Sequence, residues 1–318
     1  MLLSVAFVAA PPARPAAHAA GDFDAWLGEF KVEARATGIS QATLDAAFAG
    51  VRPMASILAL ERRQPERTLT FDEYFNRMVN ADRIQTGRRQ LSENRALLEE
   101  VGARFGVDPQ IIVALWGIET SYGGYVGNTP VIGALTTLAF DGRRGEVFRR
   151  ELLFALRIVE DGHITLDRMI GSWAGAMGQA QFMPTAFADY AVDFDGDGRK
   201  DIWNSRADVF ASTANFLSQV GWRTGTSWGR AARLPDNFDA GLAGLKVVKP
   251  LSEWRAIGVR LADGGALPTS EQAASVVRHD GHGGPAYLVF DNFRAIMRWN
   301  RSLFFATAVG HLTDRIGE

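Results

Sequence analysis

Asp108-Pro109-Gln110-Ile111-Ile112-Val113-Ala114-Leu115-Trp116-Gly117-Ile118-Glu119-Thr120-Ser121-Tyr122-Gly123 decides how the rest of this chain is read. Asp108 is placed as an N-cap and Pro109 at the first helical position, where its missing N–H costs nothing. Tyr122-Gly123-Gly124 marks the end of the helix. Between these limits Ile112, Leu115, Trp116 and Glu119 recur at helical spacing, which puts one carboxyl on a face otherwise built for burial. Desolvation and the negative end of the helix dipole both disfavour the carboxylate there, so a raised pKa is expected. A proton held near neutral pH is what a general acid needs. Two other readings stay open: Glu119 pairs with one of the chain's arginines, or it turns to water at a frayed helix end.

Outward from this helix the pattern remains mostly helical. Ser40 caps a short helix from Gln41 that Gly50 stops, and Thr70-Phe71-Asp72-Glu73 matches a capping box. The box opens a long helical stretch through Tyr74, Met78, Ile84 and Leu91 toward Leu98, while Arg52-Pro53 to Pro65-Glu66 reads as an extended connection. Further helices are expected from Thr129-Pro130, over Glu146 to Glu160, from Pro184, and over Ala207 to Val220. After Trp222 the texture alternates at period two, in Gly244 to Val248, Ile257 to Leu261 and Ala274 to Arg278. Ser275 to Arg278 should pair with Tyr287 to Phe290 across Asp280-Gly281-His282-Gly283-Gly284, and helix returns over Asn292 to Ile316. The chain is therefore expected to be mainly α (α+β). Its segments are an N-terminal helical region at 21–106, a helical core at 107–222, a small β-rich insertion at 223–290, and a C-terminal helix at 291–318 that completes the core.

Composition narrows the function classes. The 318 residues, 47% hydrophobic with eight tryptophans and twenty phenylalanines, supply one large or two to three modest packed domains. Lys+Arg 34 against Asp+Glu 36 leaves a net charge of -2, so nucleic acid and anionic membranes are not the expected partners. Residues 1–20 have an apolar core, Leu2 to Ala10, and then small residues suited to cleavage; they are read as a secretory signal peptide, although the usual positive start is missing, with a disordered Ala/Pro tail as the other reading. No later segment reaches the roughly 18 apolar residues of a membrane span. Zero cysteines exclude disulfides, a thiolate nucleophile and a lipidated N-terminal cysteine.

Three further motifs bear on chemistry. Asp193-Phe194-Asp195-Gly196-Asp197-Gly198-Arg199-Lys200-Asp201 places oxygen ligands at alternate positions with glycine at the sharp turn, as in an EF-hand calcium loop over 193–204. Asn204 stands at position 12 in place of the usual bidentate Glu, and Asp208 is the candidate substitute, although Ser205-Arg206-Ala207-Asp208 also reads as a capping box. Three carboxylates within five residues repel without a cation, so a structural Ca2+ held by Asp193, Asp195, Asp197, Arg199, Asp201 and Asp208 is expected in preference to an acidic solvated turn. Ser172 lacks the Gly-x-Ser-x-Gly spacing of a nucleophile elbow. The five histidines form no metal motif and are expected in turns, on the surface or in the core. Gly175-Ala176-Met177-Gly178-Gln179-Ala180-Gln181-Phe182-Met183-Pro184 combines small residues, which let a ligand approach the backbone, with amides that hydrogen-bond sugar hydroxyls and acetamides. As a packing turn it would need neither.

Gly117 to Gly123, then Gly175 to Pro184, then the aspartate loop occur in the order and spacing of the B-type lytic murein transglycosylases, which the chain resembles from its N-terminal helices to Trp299-Asn300-Arg301-Ser302. The resemblance implies a lysozyme-like catalytic core and a periplasmic enzyme acting on peptidoglycan glycan strands. Such an enzyme cleaves the β-1,4 bond between N-acetylmuramic acid and N-acetylglucosamine without water, leaving a 1,6-anhydro end. It further implies Glu119 as the single catalytic acid and base, Ser172 orienting the 2-acetamido group, and Gln181 binding saccharide. Substrate contacts are implied for Tyr74, Ser121, Tyr122, Arg144, Met177, Gln179, Phe216, Trp299, Asn300 and Phe305. The register of Arg144 against Arg143 is open, and Phe216, Trp299 and Phe305 stand where the family often has tyrosine. A monomer is expected, with other wall-remodelling proteins as partners. A hydrolytic muramidase and a non-catalytic peptidoglycan-binding protein are the competing readings.

Overall fold

The computed structural model describes residues 20–63, 69–281 and 283–318. The expected signal peptide lies outside these residues but for Ala20, as do His282 and residues 64–66 of the expected connection. No helix among the described residues is long and apolar enough to cross a membrane. The chain forms two compact units, residues 20–63 with Glu119–Asn215 and residues 69–118 with Phe216–Glu318.

The first unit begins with α1 (Ala20–Ala36), α2 (Gln41–Ala47) and α3 (Ala55–Arg63). Ser40 caps α2 as expected, its hydroxyl accepting from Thr43 N at 3.2 Å. The third helix corrects the extended connection expected between Pro53 and Pro65. The prolines flank a run of good helix formers, and Ile57 and Glu61, one turn apart, are both 2% exposed, so tertiary burial of one face favours helix there.

In the second unit the expected long helix is three: α4 (Phe71–Met78), α5 (Ala81–Glu93) and α6 (Arg95–Phe105). The capping box is present: Thr70 N donates to Glu73 at 2.9 Å and Glu73 N donates to the Thr70 hydroxyl at 3.3 Å. Asparagines mark both breaks. Asn80 accepts from Arg83 N at 2.9 Å and Asn94 Nδ2 donates to Gln90 O at 2.8 Å, local bonds that compete with the helical ladder.

Helix α7 (Pro109–Thr120) starts where Pro109 predicts, with one correction. The Asp108 carboxylate accepts from Trp222 Nε1 at 3.0 Å and from Gly225 N at 3.2 Å rather than capping α7. The expected burial of the face carrying Ile112, Leu115, Trp116 and Glu119 holds and extends to every residue from Ile111 to Thr120, so the helix is a core element on all sides.

The first unit continues with β1 (Thr129–Pro130), α8 (Val131–Phe140), α9 (Gly145–Glu160), β2 (Ile170–Gly171), α10 (Pro184–Tyr190) and α11 (Arg206–Gln219), whose last turn belongs to the second unit. These helices begin within about two residues of their expected starts. Helix α9 packs on α8, α10 and α2 and buries Phe148, Leu152, Ala155 and Leu156.

The rest of the second unit comprises β3 (Gly229–Arg233), β4 (Lys249–Pro250), α12 (Leu251–Ile257), β5 (Arg260–Leu261), β6 (Ala273–Arg278), β7 (Ala286–Val289), α13 (Asp291–Trp299) and α14 (Leu303–Gly317). The antiparallel sheet has the order β4-β6-β7-β3-β5. The expected hairpin forms, with Ser275 opposite Val289 and Arg278 opposite Ala286. Trp254, Val276, Leu288 and Phe290 share a hydrophobic cluster of this unit. Three expectations need correction. Gly244–Val248 is not a strand, because Gly244 has φ 127 and turns the chain. Ile257 ends α12 at Gly258, whose φ of 98 supplies the left-handed cap, leaving only Arg260–Leu261 extended. The C-terminal helix is interrupted at Asn300-Arg301-Ser302, where Ser302 caps α14 by accepting from Phe305 N at 3.3 Å.

Candidate active site

Glu119 sits in the last turn of α7, 6% exposed and buried with Thr120. Beyond it the backbone leaves the helix through two left-handed residues that are not glycine, Ser121 (φ 50) and Tyr122 (φ 61). Such residues cost about 1–2 kcal/mol each and are held only where the surroundings over-determine them. The Thr120 hydroxyl does part of that holding. It accepts from Gly123 N at 3.1 Å and donates to Gln179 O at 3.0 Å, which ties the end of α7 to the Gly175–Pro184 stretch.

That stretch is itself tightly laced. Ser172 N donates to Ala176 O at 2.8 Å and Ala176 N donates back to the Ser172 hydroxyl at 3.0 Å. Met177 and Phe182 exchange backbone bonds of 2.8 and 3.1 Å, and the Met177 side chain is fully buried. Gln179 is held twice, its N–H on Ile202 O at 2.8 Å and its Nε2 on Trp203 O at 2.7 Å. Gly178 must be glycine: its φ is 64 and a Cβ would lie 2.7 Å from Ile202 O. Gln181 is another left-handed non-glycine residue, φ 50. Its Nε2 donates to Gly178 O at 2.8 Å and Val126 O at 3.1 Å, which fixes the amide's orientation. Its Oε1 is buried and has no partner among the described residues. A buried acceptor without a donor costs about 1–3 kcal/mol unless a ligand supplies one.

At the start of α9, Arg144 Nη2 donates to Glu61 Oε1 at 3.0 Å, Arg143 Nη1 lies 3.5 Å from Glu61 Oε2, and the Arg144 guanidinium rests 5.0 Å from the Phe148 ring centroid. Two arginines therefore share one buried acid, with Arg144 the closer. Glu61 carries no motif in the sequence, and only its place on α3 reveals it. Glu151, also buried, accepts from Thr185 N at 2.9 Å and from the Thr185 hydroxyl at 2.8 Å, anchoring α10 just after Met183-Pro184. Burial pushes its pKa up against those hydrogen bonds.

The aspartate loop brings one oxygen each of Asp193, Asp195 and Asp197 within 4.8 Å of one another. Asp193 accepts from Gly196 N at 2.8 Å and Gly198 N at 2.9 Å, and Asp197 accepts from Arg199 N at 2.8 Å, so the backbone is already wound around the carboxylates. Asp201 accepts from Asn204 N at 2.8 Å and from Asn204 Nδ2 at 3.1 and 3.0 Å. Asp208 does not join the three. It is fully buried, and its two oxygens take Phe194 N and Asp201 N, both at 2.7 Å, bracing the loop from below. Burial pushes the Asp208 carboxyl up. Three crowded hard-oxygen groups on a preformed loop fit a cation such as Ca2+.

The remaining candidates belong to the second unit. Tyr74 on α4 is buried, its ring centroid 5.9 Å from that of Phe304. Phe216 and Trp299 meet edge to face at 4.8 Å. Phe305 is 2% exposed, and Asn300 Oδ1 accepts from Ser302 N at 3.0 Å at the interruption before α14. His279 is a core residue and His311 is half-buried, in keeping with histidines that belong to no metal motif. The unexpected anchor is Asp280, which accepts from Phe71 N at 2.8 Å at the start of α4 while the His279 ring stacks on Phe71 at 4.0 Å. The hairpin motif places that turn but not what it holds.

The chain is 33% identical over 249 residues to membrane-bound lytic murein transglycosylase B of Escherichia coli (strain K12), covering 76% of this chain and 66% of that protein, just under two thirds of its length. SltB3 from Pseudomonas aeruginosa, solved in complex with NAG-NAM-pentapeptide, superposes with a TM-score of 0.89 at 46% identity, over 93% of this chain and 79% of SltB3. Escherichia coli lytic transglycosylase Slt35, solved in complex with calcium, superposes with a TM-score of 0.79 at 30% identity, over 92% of each chain. The Transglycosylase SLT domain model matches residues 22–314, and the chain belongs to that family.

Proposed function

We propose that this protein is a lytic murein transglycosylase that cleaves the β-1,4 bond between N-acetylmuramic acid and N-acetylglucosamine and leaves a 1,6-anhydro end. The observation that carries the proposal is the buried Glu119 carboxyl at the end of α7, tied through Thr120 to a strained loop in which Gln181 presents an unanswered acceptor. The family match and the SltB3 complexes with NAG-NAM-pentapeptide and with NAG-anhNAM-pentapeptide support the substrate class.

In the first step Glu119 gives its proton to the glycosidic oxygen as the bond to C1 breaks, and the substrate's own 2-acetamido oxygen stabilises C1. No second acid stands in Gly117–Gly123 or Gly175–Pro184 to play the nucleophile of a two-carboxylate glycosidase. In the second step the Glu119 carboxylate takes the C6 hydroxyl proton, O6 bonds C1, and the acetamido group is released unchanged. The residue ends as it began, and no water is consumed. Ser172 orients the acetamido group, and Gln181 Oε1 accepts from a sugar donor. Tyr74, Ser121, Tyr122, Arg144, Met177, Gln179, Phe216, Trp299, Asn300 and Phe305 carry the substrate contacts that the family likeness assigns, stacking serving at the positions without a phenol.

Calcium bound by Asp193, Asp195, Asp197, the Arg199 carbonyl and Asp201 supplies structural charge compensation, and Slt35 with calcium supports this reading. Asp208 contributes by bracing. A periplasmic location behind a cleaved signal, and 107–222 as the catalytic core, complete the proposal.

Glu119→Gln tests the assignment, because it keeps the shape and removes the proton. The variant should fold with an unchanged melting temperature and lose more than about a hundredfold in clearing of sacculus turbidity, the size of a lost general acid. A folded variant that clears at the wild-type rate would sink the role of Glu119.

A further inference from the structure

The buried carboxylate of Glu61 has no place in the steps above, yet it receives both arginines at the head of α9. Its side chain is 2% exposed, against 22% for Arg144 and 40% for Arg143. Burying an acid beside an arginine gains little stability, since desolvation offsets the attraction, and well-packed apolar residues often serve as well or better. The geometry shows what the acid does instead. Arg144 is the residue immediately before α9, its side chain makes no cap bond there, and its guanidinium is pinned from two sides, by Glu61 Oε1 at 3.0 Å and by the Phe148 face at 5.0 Å. Glu61 Oε2 is buried without a hydrogen-bond partner among the described residues, facing Arg143 at 3.5 Å. One carboxylate thus sets the direction of two long cations that would otherwise sample many rotamers.

We infer that Glu61 is a positioning residue for substrate binding: it holds the Arg144 guanidinium, with Arg143 beside it, in the orientation that engages the glycan. The inference rests on the proposed function, in which Arg144 contacts substrate. Glu61 touches neither substrate nor reacting atoms, so its loss should weaken binding and spare the chemistry at Glu119. Losing the pinned orientation should raise KM about tenfold, equivalent to about 1.4 kcal/mol of binding.

The test is steady-state kinetics of the full chain on soluble NAG-NAM-peptide oligomers, with wild type, Glu61→Gln, Glu61→Asp, Arg144→Ala and the Glu61→Gln/Arg144→Ala double variant. Glu61→Gln should raise KM about tenfold with kcat within about twofold. Glu61→Asp should recover part of the KM, and the double variant should be no worse than Arg144→Ala alone, because the two residues act as one unit. A fall in kcat at unchanged KM, or effects of the two single variants that multiply in the double, would overturn the positioning role. Should Glu61→Gln fail to fold, the Glu61→Asp KM and its cycle with Arg144→Ala carry the same decision. If wild type itself releases no anhydro product, the proposed function fails, which is a separate outcome from wild-type kinetics in the Glu61 variants.

Discussion

Acid should weaken the second unit through two histidines that take no part in the chemistry. His279 is 1% exposed, its Nε2 shares a hydrogen bond of 3.0 Å with the Thr307 hydroxyl, and its Nδ1 has no partner among the described residues. His311 Nε2 is likewise buried and without a partner, and the two rings flank Tyr287 at 5.4 Å each. Burial depresses both to about 4; the neighbouring Asp280 opposes the shift at His279, while His311 adds to it there and Arg315 adds to it at His311. An unfolded histidine titrates near 6.5. Between these values the unfolded chain binds protons that the folded chain refuses, so the stability is full above about pH 6.5 and drains as the pH falls toward about 4. At about 1.4 kcal/mol per pH unit, one fully coupled ring loses about 3 kcal/mol at most, and solvent access to the half-buried His311 brings the pair to about 2–4 kcal/mol. Glu151, Asp208 and Asp314, pushed up by burial, act with the opposite sign, since their neutral forms suit the fold and their contribution is lost as the pH rises. Urea unfolding from pH 4 to 8 should therefore be compared between wild type and a His279→Gln/His311→Gln variant, whose difference cancels the carboxylates. The wild type should lose about 2–4 kcal/mol more than the variant on going from pH 7 to 4. Parallel curves would refute the reasoning.

Two further outcomes follow from the loops. Gly178→Ala forces a side chain into a left-handed position and against Ile202 O at 2.7 Å, so it should cost about 2–4 kcal/mol in urea unfolding; an unchanged midpoint would show the turn to be adaptable. For the aspartate loop, calcium at about a hundredfold over Kd adds about 2.7 kcal/mol, so a chelator should lower Tm by about 5 °C or more, and Asp193→Asn should abolish that difference. A melting curve indifferent to chelator counts against a stabilising ion.

What was readable in the sequence divides along physical lines. Local signals held: the Thr70/Glu73 box, Pro109 and Pro184 at helix starts, and a hairpin whose alternation fixes register. Tertiary contacts decided the rest. Asp108 left its cap for Trp222, Asn80 and Asn94 broke a periodic run, and α3 formed where flanking prolines look like extended chain. The candidate site shows the same split. Glu119 stands out as an acid in an apolar run, and Gln181 as an amide among small residues. The left-handed backbone at Ser121, Tyr122 and Gln181 is invisible to a reading that looks for glycine at such positions. Glu61 is invisible too, because a buried acid is recognised only by the arginines that close on it, Arg144 from 83 residues away in the chain.

The most direct measurement is mass spectrometry of the muropeptides that the wild-type protein releases from purified sacculi. Ring closure at C6 predicts products ending in 1,6-anhydro-N-acetylmuramic acid, each one water lighter than its hydrolysed counterpart; products with reducing ends alone would contradict a transglycosylase and make the protein a hydrolase.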